Sequence, residues 1–141
     1  MTPEQVTLVQ QSFAKVVPIK EAAATLFYGR LFEIDPSARP LFRGDMKAQG
    51  DKLMAAIAAV VVALNDLGPM LDRIRALGRR HVGYGVRERH YESVGAALLW
   101  TLEKGLSDDF TPATRAAWTA AYGVLSGAMI EAAGAPVPRV A

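Results

Sequence analysis

The 141-residue sequence contains no cysteine. That excludes a disulfide framework, a zinc-thiolate or iron–sulfur site and a cysteine nucleophile, and it accords with a reducing compartment. Long apolar runs are missing too. The longest, Leu53 to Leu64, has twelve residues, whereas a membrane span needs about 20, so it reads as a core helix. No charge of one sign dominates. Sixteen basic residues against fourteen acidic leave +2, and nothing demands nucleic acid as a partner. The start, Met1-Thr2-Pro3-Glu4, lacks the basic-then-apolar pattern of a signal peptide. The expectation is a soluble, cytoplasmic protein with no membrane partner. No GxGxxG, P-loop or GxSxG motif occurs, and no carboxylate pair stands apart from the solvated faces.

What is present is apolar and helical in rhythm. Apolar residues make up 51% and charged residues 21%, which rules out intrinsic disorder. The length fits one domain, 1–141, since a domain takes roughly 100–200 residues. The Pro-containing tail 135–141 is expected to fray. Four prolines, Pro3, Pro36, Pro69 and Pro112, fit the first position of a helix, where a missing N–H costs nothing. Thr2, Asp35 and Thr111 precede three of them as N-caps, and Thr2 with Gln5 has capping-box spacing. Pro18 and Pro40 mark corners, and Gly83 and Gly85 close a helix. The periodicity between these marks is 3.6. It predicts helices at 3–17, 20–34, 36–42, 46–65, 69–82, 88–106 and 112–133. The fold class is therefore all-α, with about seven helices.

Three polar residues interrupt apolar stripes. Met46, Leu53, Ile57, Val60 and Leu64 share a face of the fourth predicted helix, with Gln49 on the same line. The glutamine is either an edge residue reaching water or a buried amide that needs a partner, since an unpaired one costs about 1–3 kcal/mol. Met70, Ile74, Leu77 and His81 are spaced four, three and four. His81 is either a satisfied boundary residue or a metal ligand through Nε2. In the second case Nδ1–H would point at the Leu77 carbonyl one turn earlier and fix the tautomer. Tyr28 shares a face with Ala24 and Leu31, and is either amphipathic packing or a hydroxyl donor in a cavity. Phe42 closes an Arg-Pro-Leu-Phe corner. His90, flanked by Arg87, Glu88 and Arg89, is expected at the surface. No second histidine shares a turn with His81, which excludes an HExxH zinc site.

These residues sit in stretches that resemble a known family. LFYGRLFEIDPSARPLF resembles the second-to-third-helix region of bacterial globins and flavohaemoglobins. LGRRHVGYGVRERHYESVGAALLWTLEKGL is similar to the proximal region of neuroglobin and of single-domain bacterial globins, and FTPATRAAWTAAYGVLSGAM to their last helix. The histidine of the RRHxxYGV segment follows the corner phenylalanine by 39 residues. The resemblance spans roughly 3–133 and implies a globin fold, a three-over-three helical sandwich whose helices cross at about 50° around a haem.

Carried over residue by residue, the resemblance makes His81 the proximal ligand of haem iron and Phe42 the wedge against the porphyrin. Gln49 takes the distal position, Leu53 the apolar place over the iron, and Tyr28 the second-helix tyrosine. Leu77, Val86, Tyr91, Val94 and Leu98 would pack on the macrocycle, and Lys52 and Arg80 would meet its propionates. The implied cofactor is haem b, iron protoporphyrin IX. The implied ligands are O₂, CO and NO, with Tyr28 and Gln49 as hydrogen-bond donors and a high O₂ affinity. There are departures. Gln49 replaces a distal histidine, so bis-histidyl ligation is not expected. The flavin and nicotinamide domains of flavohaemoglobins have no counterpart in the sequence. The usual glutamate partner of Tyr91 aligns near Ala133, and Glu131 faces another side of its helix. Beside reversible gas binding stand two alternatives: nitric oxide dioxygenation or other haem redox chemistry with a separate reductase, and gas sensing. The expected association state is a monomer or a weak homodimer.

Overall fold

A computed structural model describes residues 1–42, 44–83, 86 and 88–134. Among these residues there are six α-helices and no strand: α1 Pro3–Val16, α2 Lys20–Ile34, α3 Met46–Ala63, α4 Gly68–Gly83, α5 Glu88–Leu106 and α6 Pro112–Gly134. Short 3₁₀ turns lie at Val17–Ile19, Pro36–Leu41 and Ser107–Asp109. The all-α expectation holds, with one correction. The segment expected as a short helix at 36–42 is a 3₁₀ turn, because Pro40 inside it cannot donate to an α-helical ladder. Gly85 and the tail 135–141 lie outside the described residues.

The caps fall where side-chain chemistry puts them. The Thr2 hydroxyl accepts from the Gln5 N–H at 3.1 Å, and the Gln5 amide oxygen accepts from the Thr2 N–H at 3.0 Å, a complete capping box. Thr111 accepts from the Thr114 N–H at 3.1 Å. The Asp35 carboxylate accepts from the Ser37 N–H at 3.1 Å where α2 gives way to the 3₁₀ turn. Asp45 caps α3 through the Lys47 N–H at 3.0 Å. Just before it, Gly44 takes a φ of 84°, a left-handed conformation that suits glycine.

α2 packs on α5, α4 and α1 both pack on α6, and α3 leans on α2 and α1. α3 and α4 are consecutive in the chain, yet they share no extended interface among the described residues. Two glycines set the close crossings. A Cβ on Gly50 would stand 3.0 Å from the Ala24 Cβ, which brings α3 tight against α2. A Cβ on Gly78 would overlap the Met129 backbone, with the Met129 Cα at 2.7 Å, so α4 lies directly on α6. The apolar interior forms three clusters. The largest joins α1, α2, α3, α5 and α6 around Val9, Phe13 and Trp118. A second surrounds Phe27, Tyr28 and Leu31. The third holds Ile74, Tyr91 and Met129 between α4, α5 and α6.

The stripe expected to be the core face of α3 is only partly buried. The fully buried α3 positions are Gly50, Met54 and Val61, one stripe over, where α2 and α1 press on it. Met46, Gln49, Leu53, Ile57 and Val60 remain half-buried. His90 is a second correction. It is 5% exposed rather than at the surface. Its Nε2 lies 3.4 Å from the Ser37 hydroxyl, which donates to the Asp35 carboxylate. Ser93 donates to the other oxygen of the same carboxylate at 3.1 Å. This polar cluster gives the imidazole partners in the corner and outweighs the charged neighbours in its own sequence.

Candidate functional site

The stripe on α4 delivers His81 to the boundary of the third cluster. Ile74 is buried, Met70 and Leu77 are partly buried against it, and His81 is half-buried. The imidazole Nδ1 is 2.8 Å from the Leu77 carbonyl oxygen. A carbonyl only accepts, so Nδ1 carries the proton and donates, and Nε2 is left with its lone pair. Burial pulls the His81 pKa below the ordinary histidine value. The Leu77 carbonyl opposes this, and the charge of Arg80 adds to it. Burial thus favours the neutral imidazole, and the Leu77 contact favours the tautomer protonated at Nδ1.

Behind the imidazole stands Tyr91 on α5. The two rings are 6.2 Å apart and 20° from parallel. Tyr91 is buried, and its hydroxyl has no hydrogen-bond partner among the described residues. Its backbone carbonyl accepts from the Tyr122 hydroxyl at 2.6 Å. Gly95 leaves room for that tyrosine: a Cβ there would stand 2.8 Å from the Tyr122 ring. Burial raises the pKa of both tyrosines, and for Tyr122 the nearby Tyr91 adds to the effect. Glu131 is exposed, in keeping with its expected place on another face of α6.

On α2, Tyr28 is 7% exposed. Its ring sits edge-on to Phe27 and Phe42, each at 5.1 Å, and stacks on Phe32 at 6.0 Å. Its hydroxyl donates to the backbone carbonyl of Gln49 at 3.2 Å. This joins the second-helix tyrosine to the α3 position singled out in the sequence. Burial pushes the Tyr28 pKa up to about 12, so at neutral pH the hydroxyl keeps its proton and is a donor. Phe32 was not anticipated as a partner, although it follows Tyr28 by one helical turn and the i, i+4 spacing was there to see.

The remaining expected apolar site residues are divided between two of the clusters. Phe42, Leu53, Val94 and Leu98 are half-buried against the second cluster, and Leu77 and Val86 against the third. Lys52 and Arg80 are exposed, and neither makes an ion pair among the described residues. Half-buried aliphatic side chains on facing elements form a poor core by themselves, because interiors normally pack without gaps. They suit a flat apolar macrocycle. A neutral imidazole braced by a carbonyl and an aromatic ring suits its metal. The residues present therefore fit a haem. Among the described residues there is no group of three or more His, Asp or Glu side chains to hold a metal in any other way.

A helical fold with one braced imidazole beside apolar side chains is compatible with a haem protein. The comparison with known families agrees: a model described as Globin matches residues 25–129, which include every expected site residue. The chain belongs to the globin family, and membership implies a haem cofactor and gaseous ligands such as O₂. It is similar to the Flavohemoprotein of Vibrio cholerae, 28% identical over 138 residues, covering 96% of this chain and 35% of that one. It is also similar to the Flavohemoprotein of Bordetella pertussis, 32% identical over 133 residues, covering 92% of this chain and 33% of that one. The chain spans about a third of the length of these relatives. No helix among the described residues is long and apolar enough to cross a membrane.

Proposed function

We propose that this globin holds haem b through His81 and binds O₂, CO and NO reversibly beside Tyr28 and Gln49. The observation that supports the reading is the 2.8 Å contact from His81 Nδ1 to the Leu77 carbonyl, which favours the tautomer whose Nε2 would ligate a metal. When bound, the haem supplies an iron centre that coordinates diatomic gases. Everything else is the work of the chain. Leu53, Leu77, Val86, Tyr91, Val94 and Leu98 would exclude water from the ring, Phe42 would pack against it, and Lys52 and Arg80 would pair with its propionates. The Tyr28 hydroxyl supplies a proton donor in a low-dielectric pocket, where a hydrogen bond to a polarised ligand is strong. Turning to such a ligand gives up only its bond to a carbonyl that already serves the α3 ladder. Gln49 supplies a second donor from the same turn of α3.

The test is an absorption spectrum of the purified protein with hemin, in the ferric, ferrous and CO-bound states. A five-coordinate ferrous spectrum that shifts with CO, and is lost in His81→Ala, supports the reading. Failure to take up hemin overturns it. The flavohemoprotein relatives favour a second reading, nitric oxide consumption with electrons from a separate reductase. That reading requires many NO consumed per haem when a reductase is supplied, and one per haem or fewer rejects it.

A further inference from the structure

A separate recess opens between the first halves of α2 and α3. Its volume is about 360 Å³, at the small end of the ~300–1,000 Å³ typical of ligand pockets. Of the α3 residues that line it, Lys47, Gly50, Asp51 and Met54 lie off the stripe of Gln49 and Leu53, and Met46 lies at the start of that stripe. Its apolar surface comes from Ala24, Phe32, Met46 and Met54, and Tyr28 is part of the wall. Two thioethers and a phenyl ring make a lining suited to an aromatic group, since sulfur packs favourably against aromatic rings.

The polar part of the lining is cationic on balance. Lys20, Arg39 and Lys47 are opposed by Glu21 and Asp51. None of the three cations makes an ion pair among the described residues. Arg39 is nonetheless held in place, with its guanidinium 4.9 Å over the Phe32 ring. A guanidinium steadied on an aromatic face, with its donors uncommitted, is a receptor for a carboxylate, which it can grip with two parallel hydrogen bonds. The two carboxylates of the lining act against a multiply charged anion. Volume, apolar surface and charge together select a small singly charged acid with a flat tail.

We propose that this recess binds an aromatic monocarboxylate, with the carboxylate on Arg39 and the ring against Phe32, Met46 and Met54. None of these four groups is assigned to holding the macrocycle, although the recess shares Tyr28 as part of its wall. Phe32 stacks on Tyr28, so an occupant also touches the support of the tyrosine beside Gln49.

The experiment is a calorimetric titration of the haem-loaded protein with phenylacetate, with 2-phenylethylamine as the same tail of opposite charge and inorganic phosphate as an anion without a tail. Methyl NMR on labelled methionines is run in parallel. Phenylacetate should bind saturably and move the Met46 and Met54 methyl signals, while the two controls do neither. Arg39→Gln, at an exposed position, should weaken binding about tenfold through the loss of one charge-assisted pair. Met46→Trp should abolish it by filling the recess, with the circular dichroism of the fold unchanged. Absence of phenylacetate binding, equal binding of the amine, or affinity unchanged in Arg39→Gln overturns the proposal. Methyl shifts confined to other residues do the same.

Discussion

The Tyr28 hydroxyl and the Gln49 backbone carbonyl are joined at 3.2 Å, so the tyrosine is tied to the main chain of α3. A main-chain tie survives replacement of the glutamine side chain, and the two positions should therefore separate by mutation. Tyr28→Phe removes the donor itself. At about 1.5–3 kcal/mol for a charge-assisted bond, O₂ release measured by stopped flow should speed up by tenfold or more. Gln49→Leu should speed release less, because Tyr28 keeps its position. A larger effect from Gln49→Leu than from Tyr28→Phe would reverse the assignment of the main donor.

Alkali should find the same tyrosine. Its pKa in the fold is raised to about 12 by burial, against about 10 for an unfolded chain. A raised pKa stabilises the fold fully below the unfolded value and is lost as pH climbs from about 10 towards 12. Melting temperature should therefore fall across that window, and it should fall less steeply in Tyr28→Phe. Parallel curves for the two proteins would show that Tyr28 ionises as freely in the fold as outside it.

The Tyr91 hydroxyl is buried without a partner among the described residues. An unsatisfied buried polar group costs about 1–3 kcal/mol, so Tyr91→Phe should leave stability unchanged or raise it by up to about 1 kcal/mol. Urea denaturation measures this directly. A loss of more than about 1 kcal/mol would mean that the hydroxyl has a partner in solution.

Trp118 donates from Nε1 to the Ser12 hydroxyl at 2.8 Å inside the largest cluster. Ser12→Ala leaves the indole N–H buried with no acceptor, and should cost about 1–3 kcal/mol. Thr7→Ala, an exposed change on the same helix, should stay within about 0.5 kcal/mol. Equal effects would show that the indole finds another acceptor.

Gly78 lies three residues before His81 and directly on the Met129 backbone. Gly78→Ala must push α4 away from α6 and should cost about 1–3 kcal/mol, as overpacking does. Because the displaced helix carries the imidazole, hemin transfer to apomyoglobin should also accelerate. Unchanged stability and hemin loss would mean that the crossing relaxes without moving His81.

Much of this was legible in the order of residues. The capped prolines Pro3 and Pro112 fixed two helix starts, and α2 runs over the expected 20–34, because capping and periodicity are local. The His81–Leu77 contact was equally readable, since i, i+4 geometry belongs to any helix. Non-local matters were hidden. Which stripe of α3 would be fully buried depended on Gly50 meeting Ala24 from another helix. His90 looked solvated from its neighbours, and only the fold brings Asp35, Ser37 and Ser93 to its corner. Globin membership and a haem cofactor follow from residues 25–129 as a whole.

The division of the interior also bears on how the molecule comes apart. The first helix is clamped by the largest apolar group, whereas the helix bearing the imidazole is secured by a smaller one that it shares with the fifth and sixth. Opening events in proteins follow such units. Amide protons of the fourth helix should accordingly exchange with solvent sooner than those of the first, and the grip on iron should be the earliest thing surrendered on warming.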